Sequence, residues 1–178
     1  VEGQESSQNT TLTSESRNPT VFRLAPYALS TSVLYEVRVM VLHTVSLVST
    51  AVAVRLYVEA SDIVSQISGG PTRFEKYDEL IIIDASASFD RDQEGLSGLD
   101  TGLSFTWSCG QLLPSLNSSC PLSPSEDLTL ASNTDVMYLT SVKEAVNTTS
   151  RVTVVVLDAV RSSTSYTDVT ITSKPQSK

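Results

Sequence analysis

The sequence predicts an all-β protein, and three observations carry that expectation. Apolar and polar residues alternate with period two in short runs, the pattern of strands that bury one face. Ser and Thr make up more than a quarter of the 178 residues, alongside abundant Val, whereas Gly and Pro stand at only 7 each. Turn-forming clusters at Gly69-Gly70-Pro71 and from Asp90 to Gly102 divide the runs.

The elements follow in order. Residues 1–19 are polar and hold too little to bury, so they are expected to be a linker or loop. The chain begins with Val rather than Met and shows no apolar leader, so it is expected to be a processed or excised piece of something longer. A first strand is expected over Thr20 to Leu24. The next, Val33 to Val41, places Val33, Tyr35, Val37, Val39 and Val41 on one face and Glu36 and Arg38 on the other. Ala51 to Val58 follows as its antiparallel partner. The second set is expected near Asp62 to Ile67, Arg73 to Glu75, Leu80 to Asp84, Leu103 to Cys109, Leu128 to Leu130, Val136 to Leu139, Arg151 to Leu157 and Ser165 to Thr172, with one helical turn at Ser141 to Ala145.

A seven-stranded sandwich takes about 100 residues. Residues 20–60 are therefore expected to form the C-terminal half of a fibronectin-III-like sandwich and 61–174 a complete one, with 175–178 a tail. The fold class is all-β, a tandem of immunoglobulin/fibronectin-III-like β-sandwiches with the first one incomplete. Its missing strands are expected from residues outside this chain or from another chain, because unpaired edges seek partners.

Composition excludes several functions. A net charge of −8 and a pI near 4.5 oppose nucleic-acid binding, which depends on clustered Lys and Arg. No stretch approaches the roughly 20 apolar residues that span a bilayer, so no direct membrane insertion by this segment is expected. Cys109 and Cys120 lie in a Ser-, Pro- and Leu-rich stretch with no His or third Cys nearby, which favours a disulfide over a zinc site and implies an oxidising compartment. Asn9, Asn117 and Asn147 open N-x-Ser/Thr sequons, whereas Pro19 blocks Asn18. These are the candidate N-glycan sites.

The run LIIIDASASFDRD from Leu80 to Asp92, followed by Leu103-Ser104-Phe105-Thr106-Trp107-Ser108-Cys109, resembles a motif pair of the polycystic-kidney-disease (PKD) repeat. It is more closely similar to the receptor-for-egg-jelly (REJ) module of polycystin-type surface proteins, in which a Cys closes the Trp strand and a second Cys follows a short loop, as Cys109 and Cys120 do here. The likeness covers roughly residues 62–174, and Val64 to Gly70 looks like the opening of such a unit. Leu29, six residues before Tyr35, resembles the tyrosine corner of fibronectin-type-III domains, although Thr31 and Val33 replace its usual Pro and Thr. In that corner the Tyr hydroxyl returns to backbone a few residues upstream. The second unit carries Val146 and Val152 at the matching spacing and lacks the hydroxyl.

Asp84, Asp90 and Asp92 are candidate Ca²⁺ ligands, since carboxylates around a tight turn suit a hard cation. Their spacing is not that of an EF-hand, and the competing reading, which the sequence favours, is that Asp84, Ser86 and Ser88 cap a turn. Ca²⁺ is the only cofactor the residues leave open. Phe105 and Trp107 share one face of their strand, and together with Tyr35 and Leu29 they are the expected structural core residues. His43, the only histidine, continues the inward register of its strand, and Leu42-His43-Thr44 has the wrong residue order for the autoproteolytic site of polycystin-type proteins. No nucleophile elbow, zincin motif or phosphate-binding Gly loop is present, so no catalytic residue is expected.

The resemblance implies a non-catalytic structural and adhesion segment of a large cell-surface glycoprotein, extracellular and of the kind found on gametes, cilia or flagella. The implied partners are neighbouring sandwich domains of the same parent and other surface or matrix proteins, with N-glycans attached. The alternative is a carbohydrate-binding module, which requires Tyr57, Phe74, Tyr77 and Tyr138 to be exposed and aligned on one sheet face.

Overall fold

The computed structural model describes residues 12–125, 130 and 133–173. It is built of strands with no α-helix among the described residues, and the chain divides into two compact units, Val1–Ala60 and Ser61–Lys178.

In the first unit, β1 (Val33–Leu42) pairs antiparallel with β2 (Ser49–Val58) over their full length. The register sets Tyr35 opposite Leu56, Val37 opposite Val54 and Val39 opposite Val52. Directly opposed residues share a face, so these pairs form one apolar stripe. On the other face the Glu36 carboxylate accepts from Arg38 at 3.1 Å and from Arg55, its cross-strand partner, at 3.3 Å. The two guanidinium groups, Arg38 first, hold Glu36 below the usual carboxylate range. No described residue of this unit is buried, and Val39, Val52 and Val54 are each half or more exposed.

The strand expected over Thr20 to Leu24 is absent. Asn18 Oδ1 takes the backbone N–H of Thr20 at 3.0 Å and its hydroxyl at 2.8 Å, and Ser14 Oγ takes the N–H of Arg23 at 3.0 Å. Short polar side chains thus capture donors that a ladder would need, and the segment bends instead. His43 does not continue the inward register either. It is exposed in the β1–β2 turn, where Nδ1 lies 2.7 Å from Ser46 Oγ and the N–H donates to Val48 O at 2.9 Å.

In the second unit, β4 (Thr72–Lys76), β7 (Ser104–Leu113), β10 (Thr149–Leu157) and β11 (Ser162–Thr172) form a four-stranded sheet in the order β4-β11-β10-β7. Neighbours are antiparallel except β4 and β11, which run parallel. Facing it, β5 (Ile81–Asp84), β8 (Leu122–Pro124) and β9 (Val136–Ser141) are ordered β5-β9-β8, and β3 (Ile63–Val64) pairs with β6 (Phe89–Asp90). Period-two alternation decides what lies inside. Val152, Val154 and Val156 of β10 point inward with Phe105 and Trp107 of β7, Val169 and Ile171 of β11, Ile81 and Ile83 of β5, and Met137 and Leu139 of β9. These residues make one continuous core between the two sheets.

Differences from expectation have local causes. The strand expected over Asp62 to Ile67 shrinks to β3 because the N–H of Ser65 goes to Ser163 Oγ at 3.2 Å and that of Gln66 to Ser88 Oγ at 3.0 Å. The strand placed at Leu128 to Leu130 falls mainly outside the described residues. Both β6 and β8 were unexpected, being only two and three residues long. The helical turn expected near Ser141 to Ala145 is a 3₁₀ turn at Lys143–Ala145, and a second occupies Gly98–Thr101. Arg73 reaches edge strand β5, donating from Nη1 to Ile82 O at 2.8 Å and from Nη2 to Ser68 O. That takes up one ladder acceptor that the sheet edge would otherwise present.

Candidate functional site

Chemistry-bearing side chains of the second unit gather at its two ends. Where the chain enters, Arg161 follows the β10–β11 turn and its guanidinium is surrounded by three carboxylates. Asp90 Oδ2 lies 2.7 Å from Nη2, Asp92 Oδ2 lies 2.9 Å from Nη1, and Asp158 Oδ2 accepts from Nε at 2.8 Å and sits 2.6 Å from Nη2. Nη1 also donates to the backbone carbonyl of Ser61, and the Ser61 N–H donates back to Asp92 Oδ2 at 2.9 Å. Both backbone groups of the unit's first residue are therefore held by one cluster.

Burial and multiple donors make the cluster tight. Asp90 keeps only 5% of its side-chain surface and Arg161 24%. Backbone N–H groups of Val160 and Arg161, then the guanidinium, hold the Asp158 carboxyl down to about 2. Asp90 first and Asp158 second raise the Arg161 guanidinium further above its ordinary value.

This geometry gives each Ca²⁺ candidate carboxylate other partners. Asp90 and Asp92 spend their oxygens on Arg161 and on backbone N–H groups, because a guanidinium already supplies the positive charge. Asp84 stands apart, with Oδ1 accepting from the Ser86 N–H at 2.9 Å and hydroxyl at 2.6 Å. Among the described residues no group of three or more His, Cys, Asp or Glu could hold a metal ion. The sequence singled out Asp90 and Asp92 but not Asp158 or Arg161. The signal it offered was Asp158-Ala159-Val160-Arg161 between two strand patterns, a turn whose first Asp captures the following N–H groups.

Toward the opposite end, Cys109 in the middle of β7 is bonded to Cys120, with Cα atoms 5.5 Å apart. Closing a loop this short stabilises by about 3 kcal/mol on the chain-entropy model. Within the loop, Leu113-Pro114 is a cis peptide and Asn117 bridges back to Gln111 in both directions, at 2.9 and 3.1 Å. Asn117 is exposed, and its Oδ1 accepts from the Ser119 N–H at 2.9 Å. Asn147 is exposed too, in a left-handed conformation (φ 66°), with its N–H donating to Ile171 O at 2.8 Å. Asn9 lies outside the described residues.

Phe105 and Trp107 are 2% and 3% exposed, and the indole N–H donates to Thr134 O at 2.7 Å, so neither ring offers a ligand platform. Tyr35 Oη accepts from the Ser30 N–H at 2.8 Å, five residues upstream. Tyr35 and Leu29 are only half-buried, however, and neither joins a core, because the first unit has no buried residue among those described. Of the four aromatics of the carbohydrate-binding alternative, the three in the second unit share no face. Phe74 stands 75% exposed on the outer face of the four-stranded sheet, Tyr138 lies outward on the three-stranded sheet, Tyr57 belongs to the first unit, and Tyr77 packs against the core. Tyr166, which the sequence did not single out, lies under Arg151 at 3.9 Å, with that guanidinium forked onto Asp168 at 2.8 and 2.9 Å.

No helix among the described residues is long and apolar enough to cross a membrane. No curated protein matches the chain. Among solved structures, it is similar to a nucleoside hydrolase-related hypothetical protein from Saccharophagus degradans that is associated with carbohydrate metabolism, at 14% identity and a TM-score of 0.43. That match covers 65% of this chain but only 26% of the other, about a quarter of its length. The REJ domain family model matches residues 4–178. Strand pattern, buried Trp107 beside the Cys109–Cys120 bridge and this nearly full-length match agree: the chain belongs to the REJ domain family.

Proposed function

We propose that the chain is a non-catalytic, extracellular structural and adhesion segment of a large cell-surface glycoprotein, working as a spacer and protein–protein contact module. The observation that carries this reading is the placement of the second unit's two ends. Ser61 is tied to Arg161 at the start of β11, whereas the chain leaves after Thr172 at the far end of that strand. Eleven residues at about 3.3 Å each separate these points by roughly 35 Å. A module entered at one pole and left at the other suits an in-line array. Tension applied between those poles loads the parallel β4–β11 ladder along its strands, where the hydrogen bonds resist together rather than one at a time. Family membership and the disulfide, which requires an oxidising compartment, support the extracellular placement.

Pulling the oxidised chain by its ends tests the reading. The second unit is expected to extend in one step. Reducing Cys109–Cys120 is expected to lengthen that step by about 30–35 Å, the reach of the released 11-residue separation less the 5.5 Å that the bonded Cα atoms already span. Featureless extension at negligible force would contradict the spacer role.

A further inference from the structure

We propose that Asn117 and Asn147 both carry N-glycans, and that the two glycans form a collar around the end of the second unit where β11 stops, leaving the Arg161 pole bare. The inference rests on the extracellular reading and adds to it a sidedness that the sequons alone do not contain.

Strand register places both asparagines at one pole. Thr149 pairs with Thr170 of β11 and with Leu113 of β7, so the residues just before β10 and those just after β7 lie at the end where β11 finishes. Asn147 is fastened there by its N–H bond to Ile171. Asn117 is fastened alongside the last residues of β7 by its two backbone bonds to Gln111, itself opposite Ser150 near the start of β10. Asn117 lies on the free edge of β7 and Asn147 at the β10–β11 part of the same sheet, roughly two to three strand spacings of ~4.8 Å away. The Arg161 cluster lies at the other end of β11.

Local geometry leaves the reacting atom available at each site. Both side chains are exposed, and among the described residues neither Nδ2 makes a hydrogen bond. In the transfer, Nδ2 bonds to the anomeric carbon of a lipid-linked oligosaccharide. The bond from that carbon to the pyrophosphate oxygen breaks, and one amide proton is given up as polyprenyl pyrophosphate leaves. The Asn117 Oδ1 is not consumed, so its bond from Ser119 survives. At Asn147 the backbone is pinned in the left-handed region that Asn tolerates, which fixes the direction in which the glycan departs.

Secretion of the full chain from a eukaryotic cell line tests this, with occupancy read by peptide mapping after enzymatic glycan removal in heavy-oxygen water. Accessibility is read by amine labelling of Lys143 and Lys76, both exposed and at the same pole. Both asparagines are expected to be converted to Asp in most molecules, and Lys143 is expected to label several-fold faster once the glycans are removed. Asn147→Gly, which keeps the positive φ, and Thr149→Val, which breaks the sequon without touching the asparagine, are each expected to lose one glycan and expose Lys143. Either asparagine bare in most molecules, or unchanged Lys143 labelling, overturns the collar. Bare asparagines with an oxidised Cys109–Cys120 pair overturn it while leaving the extracellular reading standing; bare asparagines with free thiols overturn both.

Discussion

Arg161→Ala is expected to destabilise the second unit by about 3–5 kcal/mol, the range seen when one partner of a buried ion pair is removed. The loss is large because the charge left behind is worse than the pair. Asp90, almost fully buried, would keep its negative charge with no guanidinium beside it, and Asp92 and the Ser61 carbonyl would lose a donor as well. Arg161→Lys is expected to recover only part of the loss, since one ammonium cannot serve three carboxylates and a carbonyl arranged around a planar fork. Urea unfolding followed by the fluorescence of Trp107, the only tryptophan, reports on this unit directly. Acid acts on the same cluster. Because the Asp158 carboxyl is held below its unfolded value, its contribution is complete above about pH 4 and is lost as pH falls toward about 2. Most of the depression comes from the Val160 and Arg161 backbone N–H groups, so this acid sensitivity is expected to persist in Arg161→Ala.

Ile83→Ala is expected to cost about 2–5 kcal/mol, whereas the adjacent Ile82→Ala costs less than about 1 kcal/mol, read by the same unfolding assay. The chemistry of the two changes is identical. Ile83 is fully buried between the sheets, while Ile82 points out of β5 with 47% of its surface exposed. Deleting three carbons from the first leaves a cavity lined by residues of both sheets; deleting them from the second leaves solvent. The Ile82 carbonyl that accepts from Arg73 is untouched by the substitution. Equal losses at the two positions would mean that β5 does not lie in the described register.

What could be read in the sequence was whatever depends on periodicity. Val152, Val154 and Val156 alternate with Arg151, Thr153 and Val155, and that alone marks β10 as a strand with one face inside. The β1–β2 pairing followed from the same pattern. Periodicity fails where strands are too short to show it, which is why β6 and β8 were missed. It also misleads where side chains compete for backbone, as Asn18 and Ser14 do around Thr20. The ionic cluster was half legible. Asp90 and Asp92 are close in sequence and drew attention as an acidic pair, but their counter-ion lies 71 and 69 residues away and no local pattern announces it. Read without that partner, they stood with Asp84 as an open Ca²⁺ alternative to a capped turn; with Arg161 between them, Asp90 and Asp92 make a clasp on Ser61. The hairpin of the first unit shows a further limit. Its apolar stripe looked like the face of a core, and in the structure that stripe is largely exposed.

Native-state hydrogen exchange on the oxidised chain, resolved by peptide, tests most directly the claim that the stable fold of this REJ-family chain resides in the second unit's sandwich. Amides of β7, β10 and β11 are expected to exchange only through global unfolding, their protection falling together as urea is added. Those of β1 and β2, none of whose residues is fully buried, are expected to exchange orders of magnitude faster. Equal protection across both units, or early opening of β10 and β11, would contradict it.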